Sequence, residues 1–328
     1  MALVDRQRVA TSSAAGDSRR SVRFFNGSAF ERAFAGLCLA AALFVLLILG
    51  GFFVSLTIGA WPALAKFGPA FVWTTTWNPV TGVFGALPAI AGTLITSAIA
   101  IVIAVPLAFA IAIFITQLAP EWLRQPLGVA IELLAAIPSI IYGMWGLFVF
   151  APVFRTFVQA PIIALFDNVP VLSSIFSGPA IGIGMATAGV VLAIMILPFI
   201  AAVMRDVIAT VPKRLKESGY AIGATDWEVA RAIIIPNCAG GLTGAVFLGL
   251  GRALGETMAV TFIIGNANRI TANIFAPSNT IASTIANEFQ EAYTDMHSSA
   301  LIALGLLLFV ITFIVLALAR LMLKRISS

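Results

Sequence analysis

Charged residues are scarce in this sequence, and their scarcity restricts the class of protein. Aspartate, glutamate, lysine and arginine make up 10% of the 328 residues, whereas 60% of the residues are hydrophobic. A soluble globular domain carries about 25% charged residues, so this composition excludes one and indicates a membrane protein. The two cysteines, Cys38 and Cys238, lie near the ends of separate apolar runs and form no disulfide framework, and we expect them to have a structural role.

The sequence also lacks the alternation of apolar and polar residues over about ten positions that a transmembrane β-barrel requires. Its apolar runs are continuous instead, and several exceed the ~20 residues that a helix needs to cross a bilayer. We therefore predict an all-α polytopic membrane protein with six transmembrane helices. The approximate spans are 33–59, 88–118, 127–154, 180–204, 240–265 and 300–323.

Two kinds of chemical site are missing. No Gly-x-x-x-x-Gly-Lys-Ser/Thr pattern occurs, so the chain has no P-loop for ATP, and the energy for active transport has to come from another chain or from an ion gradient. The lone His297 falls in a predicted external loop without other candidate ligands, so we expect no metal site there.

Arginine and lysine flank the predicted spans unevenly. Residues 1–32 are rich in serine and arginine and are predicted to be a disordered cytoplasmic tail, followed by a transmembrane domain at 33–325. With the amino terminus inside, fifteen of the nineteen cationic residues lie in internal segments and three in external ones. This bias places both termini in the cytoplasm. It assumes that 60–87 is an external loop and that 155–179 lies on the membrane surface.

The internal segment 205–239 contains a polar stretch at 217–236, ESGYAIGATDWEVARAIIIP, which we call the elbow. Thr210 and Pro212 suit the start of a short helix, and Gly223 suits its end because glycine adopts a left-handed backbone freely. Thr225 lies three residues before a glutamate, which is the spacing of a capping box and predicts a second helix closed by Arg231. An ordinary amphipathic loop is the alternative.

The elbow resembles the EAA loop of bacterial ABC importer permeases. The residues that carry the resemblance are Glu217, Ser218, Gly219, Gly223, Ile233, Ile235 and Pro236. Ser218 and Gly219 stand where two alanines are usual, and Ile235 where leucine is usual. In that family the loop forms a coupling helix that sits in a groove of the cytoplasmic ATPase. The resemblance therefore implies that these residues couple the chain to an ATPase.

Arg252 and Glu256 are charged residues within the fifth predicted span. A charge at the bilayer centre costs ~2.5–3.5 kcal/mol on insertion scales, so such residues usually face the bundle interior or water. Their spacing of four places them on one helix face, which we predict to line a substrate pathway. Arginine can bind an oxyanion through two hydrogen bonds, and glutamate can accept one from an anion that keeps a proton, as phosphate does. A structural ion pair is the alternative.

Four further stretches resemble phosphate ABC importer permeases of the PstC type, and the resemblance covers roughly residues 70–325. They are Trp77–Ser97, Glu132–Gly146, Leu250–Val260 and Ala282–Phe289. In this family an arginine and a glutamate important for phosphate movement occupy the positions of Arg252 and Glu256. The resemblance implies a type I, MetI-like permease in the bacterial inner membrane that passes inorganic phosphate by alternating access.

The resemblance also implies partners: a PstA-type permease in a heterodimer, two PstB-type ATPase subunits and a periplasmic phosphate-binding protein. ATP and magnesium are then used by the ATPase, and this chain, surrounded by membrane lipids, binds no cofactor, no metal and no nucleic acid and catalyses no reaction. Three alternatives stay open: a permease for molybdate, sulfate or phosphonate, an ion-coupled secondary transporter or channel, and a membrane scaffold or sensor.

Overall fold

The structure, a computed structural model, describes residues 29–166, 169–176 and 178–326 and is helical almost throughout. The N-terminal helices are α1 (Ala29–Phe67), α2 (Ala70–Trp73), α3 (Leu87–Leu118), α4 (Glu121–Ala135), α5 (Ser139–Phe166) and α6 (Pro170–Ile175). The C-terminal helices are α7 (Met185–Ala209), α8 (Lys213–Ala221), α9 (Asp226–Leu254), α10 (Met258–Ile264), α11 (Ile281–Glu288) and α12 (Asp295–Ile326).

Six of these helices, α1, α3, α5, α7, α9 and α12, are long and apolar enough to cross a membrane. The predicted number of spans and the all-α class are therefore confirmed. The chain divides into two compact units, with the boundary between Phe53 and Val54 inside α1. The first unit contains the start of α1, which begins at Ala29. Residues 1–28 of the predicted tail lie outside the described residues.

Within the second unit, α7 is the central helix, and about two thirds of its most apolar 18-residue stretch is buried. It packs most extensively against α3, where alanines recur every four residues along one face. These alanines, at 100, 104, 108 and 112, have no exposed surface. Because alanine has a small side chain, the stripe lets the two helix backbones approach closely, as small residues do in membrane bundles.

The third span differs from its prediction at 127–154. Pro138 has no N–H group, so α4 ends at Ala135 and a new helix begins at Ser139. The hydroxyl of Tyr142 donates a hydrogen bond to the carbonyl of Leu134 over 2.9 Å, which satisfies one carbonyl at the end of α4. The span is then α5, which extends to Phe166 through two π-helical turns. Most of the predicted surface loop at 155–179 is therefore helix.

Two predicted external loops are also partly wrong. The loop at 60–87 begins with the last turns of α1, so Trp61 is a helical residue with an exposed side chain. His297 lies in the first turns of α12 and is buried, because that helix starts at Asp295 rather than near 300. No cluster of three metal-ligating side chains occurs in the described part of the chain.

His297 belongs to a polar cluster around Glu288, at the end of α11. The Glu288 carboxylate accepts hydrogen bonds from His297 Nε2 at 2.9 Å, Trp77 Nε1 at 2.7 Å and Asn268 Nδ2 at 3.3 Å. The ring of Phe84 stacks on the imidazole with centroids 5.3 Å apart. One carboxylate thus joins α11, α12 and two loops, which explains why Trp77 is buried rather than placed at the membrane boundary.

We expect Glu288→Ala to destabilise the folded protein, because the substitution leaves the donors of Trp77 and His297 unpaired in a buried site. Each unsatisfied buried donor costs about 1–3 kcal/mol. In detergent, the purified Glu288→Ala protein should show an apparent Tm several degrees lower than that of the unsubstituted protein. The matched control is Glu291→Ala, which removes an exposed carboxylate three residues further on. Equal Tm values for the two variants would contradict the role of the cluster.

Candidate functional site

The elbow has the bent helical shape that its sequence predicts. α8 ends at Ala221, and Gly223 has a φ of +86°, a left-handed conformation that glycine adopts without strain. The N–H of Ala224 donates to the carbonyl of Gly219 at 3.2 Å and closes the turn. The hydroxyl of Tyr220 bonds to Asp226 Oδ1 at 2.9 Å, so the two arms of the elbow are joined across the turn.

The capping box at the second arm is present. The hydroxyl of Thr225 accepts a hydrogen bond from the N–H of Glu228, and the glutamate side chain accepts one from the N–H of Thr225. The prediction that this helix ends at Arg231 is wrong. The helix continues as α9 into the fifth span. A π-helical turn at Ala230–Ile234 leads into Pro236, whose missing N–H is accommodated there without a break.

The start of the first arm also differs from the prediction. Thr210 ends α7, where its hydroxyl donates to the carbonyl of Val207 at 2.7 Å. Pro212 is the residue that precedes α8. The sequence signal was ambiguous because a threonine hydroxyl can bond to a backbone group at either end of a helix.

Packing between the arms explains the small residue at the centre of the motif. Gly219 is buried, and a Cβ atom there would lie 2.6 Å from Cδ1 of Ile233 and 3.1 Å from Cγ2 of Val229. The motif residues thus divide into two groups. Gly219 and Ile233 pack between the arms and Ile235 is half-buried, whereas the other motif residues are exposed: Glu217, Ser218, Gly223 and Pro236.

Two exposed apolar residues at the tip of the elbow are missing from the predicted site. Ile222 is 87% exposed and Trp227 is 62% exposed, on either side of Gly223. Large apolar side chains at a protruding turn are suited to insertion into a partner's pocket. The sequence does contain this signal, because both residues interrupt a polar stretch.

Arg252 lies near the end of α9 with its Nε atom buried. This atom has no hydrogen-bond partner within the described residues. The guanidinium carbon lies 5.4 Å from the ring centroid of Phe199 on α7, a cation–π geometry that holds the side chain against the central helix. A half-buried arginine whose buried Nε atom has no partner is suited to binding an anion that enters the bundle.

Glu256 does not share a helix face with Arg252, which corrects the prediction. α9 ends at Leu254, and Glu256 lies in the break before α10. One oxygen of its carboxylate accepts the N–H of Ala259 at 3.2 Å and so supports the first turn of α10. No ion pair joins the two side chains in the part of the chain that the structure describes, and the alternative of a structural ion pair is not observed.

The elbow and the Arg252 region both lie within residues 104–328. These residues match the family model described as the binding-protein-dependent transport system inner membrane component. The chain belongs to this family. The chain is therefore a multi-pass permease subunit of an ABC transporter and lies in the inner membrane.

Several curated relatives are similar over most of their length. The phosphate transport system permease protein PstC of Mesorhizobium japonicum is 59% identical over 289 residues, which cover 88% of each chain. The protein of the same name from Haemophilus influenzae is 54% identical and covers 94% of this chain and 98% of the relative. The description of the family model names no substrate, whereas both of these relatives are named for phosphate transport.

A solved structure confirms the expected architecture of an ABC importer permease. A chain of a bacterial alginate ABC transporter, in complex with an alginate pentasaccharide-bound periplasmic protein, has a TM-score of 0.59. It is 18% identical and covers 89% of this chain and 95% of that one. At this identity the likeness concerns the fold of the inner membrane component and not its cargo.

Proposed function

We propose that this chain is the permease subunit of an ATP-driven importer of inorganic phosphate. The observation that carries the proposal is the 59% identity to a phosphate transport system permease protein over 88% of both chains. The buried, unpaired Nε atom of Arg252 agrees with an anionic cargo. The chain itself performs no covalent chemistry and passes phosphate by alternating access.

Arg252 and Glu256 have separate tasks in this proposal. Arg252 offers hydrogen-bond donors to the oxyanion from the end of α9, where its desolvated charge strengthens the interaction. Glu256 lies at the helix break, and its carboxylate can accept the hydrogen bond of a phosphate that keeps a proton. Fully ionised sulfate has no such donor, so the pair favours phosphate.

The elbow is the proposed contact with the ATPase. Ile222 and Trp227 fill apolar pockets of that subunit, and the exposed residues Glu217, Ser218 and Gly223 surround them. The elbow and both termini face the cytoplasm in the orientation that the arginine and lysine distribution favours. Gly219 packs against Ile233 on α9, so we expect a displacement of the tip to be transmitted through Ile235 and Pro236 to the rest of α9.

The remaining subunits follow from the same proposal. A PstA-type permease completes a heterodimer, two PstB-type ATPases use ATP and magnesium, and a periplasmic phosphate-binding protein delivers the substrate. The cofactors belong to the ATPases.

The proposal is tested with the purified assembly in liposomes. We expect uptake of labelled phosphate that requires the binding protein outside and ATP at the ATPase. Excess sulfate or molybdate should not compete with it. Phosphate uptake driven by an ion gradient without ATP would contradict the proposal and favour a secondary transporter. Competition by molybdate or sulfate at equal concentration would assign the cargo to another oxyanion.

A further inference from the structure

A cavity of about 500 Å³ lies at the elbow end of the bundle, between the end of α3, α4, the end of α7 and α8. It is separate from Arg252, which is not among its lining residues. Four cationic side chains line it: Arg124 from α4, Arg205 from α7, and Lys213 and Lys216 from α8. Such a concentration of positive charge is unusual in a chain with 10% charged residues.

One of the four cations is paired with two carboxylates. Arg205 forms ion pairs with Glu132 and Asp206, each at 2.7 Å from its Nη2 atom. Gly128 makes room for this guanidinium, because a Cβ atom there would lie 2.6 Å from Nη1. Arg205 is therefore held in place by its own partners and forms one wall of the cavity.

The other three cations have no carboxylate partner of their own, and the four cations and two carboxylates together leave a formal charge of +2. Arg124 uses its Nε atom to bond to the carbonyl of Ala119 at 2.8 Å. No carboxylate within the described residues pairs with Arg124, Lys213 or Lys216. Burial lowers the pKa of Lys216, and the positive charges of Arg124 and Lys213 lower it further. Arg124 and Lys213 are thus each close enough to Lys216 to repel its charge.

We propose that this cavity binds a phosphate-bearing anion, either free phosphate or the headgroup of an anionic lipid. Such an anion converts the repulsion between α4 and α8 into attraction, since it bonds to Arg124 on one side and to Lys213 and Lys216 on the other. α8 contains the first arm of the elbow, so an occupied cavity stabilises one position of the elbow relative to the bundle. The site is distinct from the transport pathway and does not depend on the cargo proposed above.

The small number of lysines allows a site-specific test. The chain has four, and Lys66 on α1 is an internal control for Lys213 and Lys216. The assembly, delipidated in a neutral detergent, is labelled with an amine-reactive reagent, and labelling rates are read by peptide mass spectrometry. We expect inorganic phosphate or added cardiolipin to slow the labelling of Lys216 and Lys213 but not of Lys66, whereas chloride at equal ionic strength has no effect.

The two additions distinguish the sources of the phosphate group. Protection by inorganic phosphate identifies the free anion, and protection by cardiolipin alone identifies a lipid headgroup. Both results support the proposal. Protection by neither, or equal protection by chloride, overturns it.

Substitutions show whether protection arises in the cavity. Losing one charge-assisted hydrogen bond should raise the concentration for half-protection of Lys216 about tenfold in Arg124→Gln and in Lys213→Gln. Arg214 lies on the same helix but outside the cavity, so Arg214→Gln is the matched control. It should leave the anion concentration for half-protection of Lys216 unchanged. Arg252→Gln should also retain protection. Loss of protection in Arg252→Gln would show that anion binding in the pathway causes the effect and would overturn the cavity assignment.

Discussion

Replacing Gly223 with valine is expected to uncouple ATP hydrolysis from phosphate uptake. The backbone at this position has a φ of +86°, where a β-branched residue is strained by about 1–2 kcal/mol or more. No heavy atom lies within 4 Å of a Cβ built at Gly223, so the strain arises from the backbone and not from a clash. The turn should therefore relax and rotate Ile222 and Trp227 away from their proposed pockets, while the bundle remains folded.

The measurement compares ATP hydrolysis and labelled phosphate uptake in the same liposomes. We expect the ATPase to co-purify with the Gly223→Val variant and to hydrolyse ATP. Phosphate uptake should fall at least about tenfold, since the strain of about 1–2 kcal/mol corresponds to a factor of this size. Gly223→Asn is the matched control, because asparagine tolerates the left-handed region and should retain most coupling. Normal coupled uptake in Gly223→Val would count against the elbow as the contact with the ATPase.

The elbow was predictable from sequence because its signals are local. Glycine in a left-handed turn and the Thr225–Glu228 capping box depend on neighbours within a few residues, and both occur as expected. The continuation of α9 past Arg231 was not predictable in the same way. It depends on a π-helical turn that accommodates Pro236, and a proline usually indicates the end or the start of a helix.

The third span shows the limit of hydropathy. Residues 127–154 and 139–166 are both apolar enough to cross a bilayer, so composition alone does not choose between them. The choice depends on Pro138, which separates α4 from α5, and on the ion pair of Glu132 with Arg205, which places α4 beside α7. The number of spans is still correct, because residues 155–166 extend the span by about the length that residues 127–138 no longer contribute to it.

The charged pair in the fifth span illustrates a related limit. Spacing alone predicted one helix face for Arg252 and Glu256, since nothing in GRALGETMAV marks the end of a helix clearly. The break at residues 255–257 is stabilised by the bond from the N–H of Ala259 to the Glu256 side chain. A side chain that supports a helix start cannot be distinguished by its spacing from one that faces a pathway.

Arg252→Gln is expected to lower phosphate uptake about 10- to 150-fold while the complex assembles normally. The estimate corresponds to the loss of charge-assisted hydrogen bonds worth about 1.5–3 kcal/mol. Glutamine is a shorter polar side chain, so it removes the charge, and Arg252 has no carboxylate partner that the substitution would leave unpaired. The substitution also removes the cation–π contact with Phe199, whose ring centroid lies 5.4 Å from the guanidinium carbon.

Two variants separate the pathway role from packing. Arg252→Lys keeps the charge but not the planar fork, and it should restore part of the uptake with a raised KM. Phe199→Leu removes the ring beneath the guanidinium and should reduce stability more than uptake, since Arg252 keeps its donors. Assembly is checked by co-purification with the ATPase and by the apparent Tm. Undiminished uptake in a correctly assembled Arg252→Gln complex would exclude the Arg252 guanidinium from the phosphate pathway. Equal losses of uptake in Arg252→Gln and Phe199→Leu would assign Arg252 a packing role.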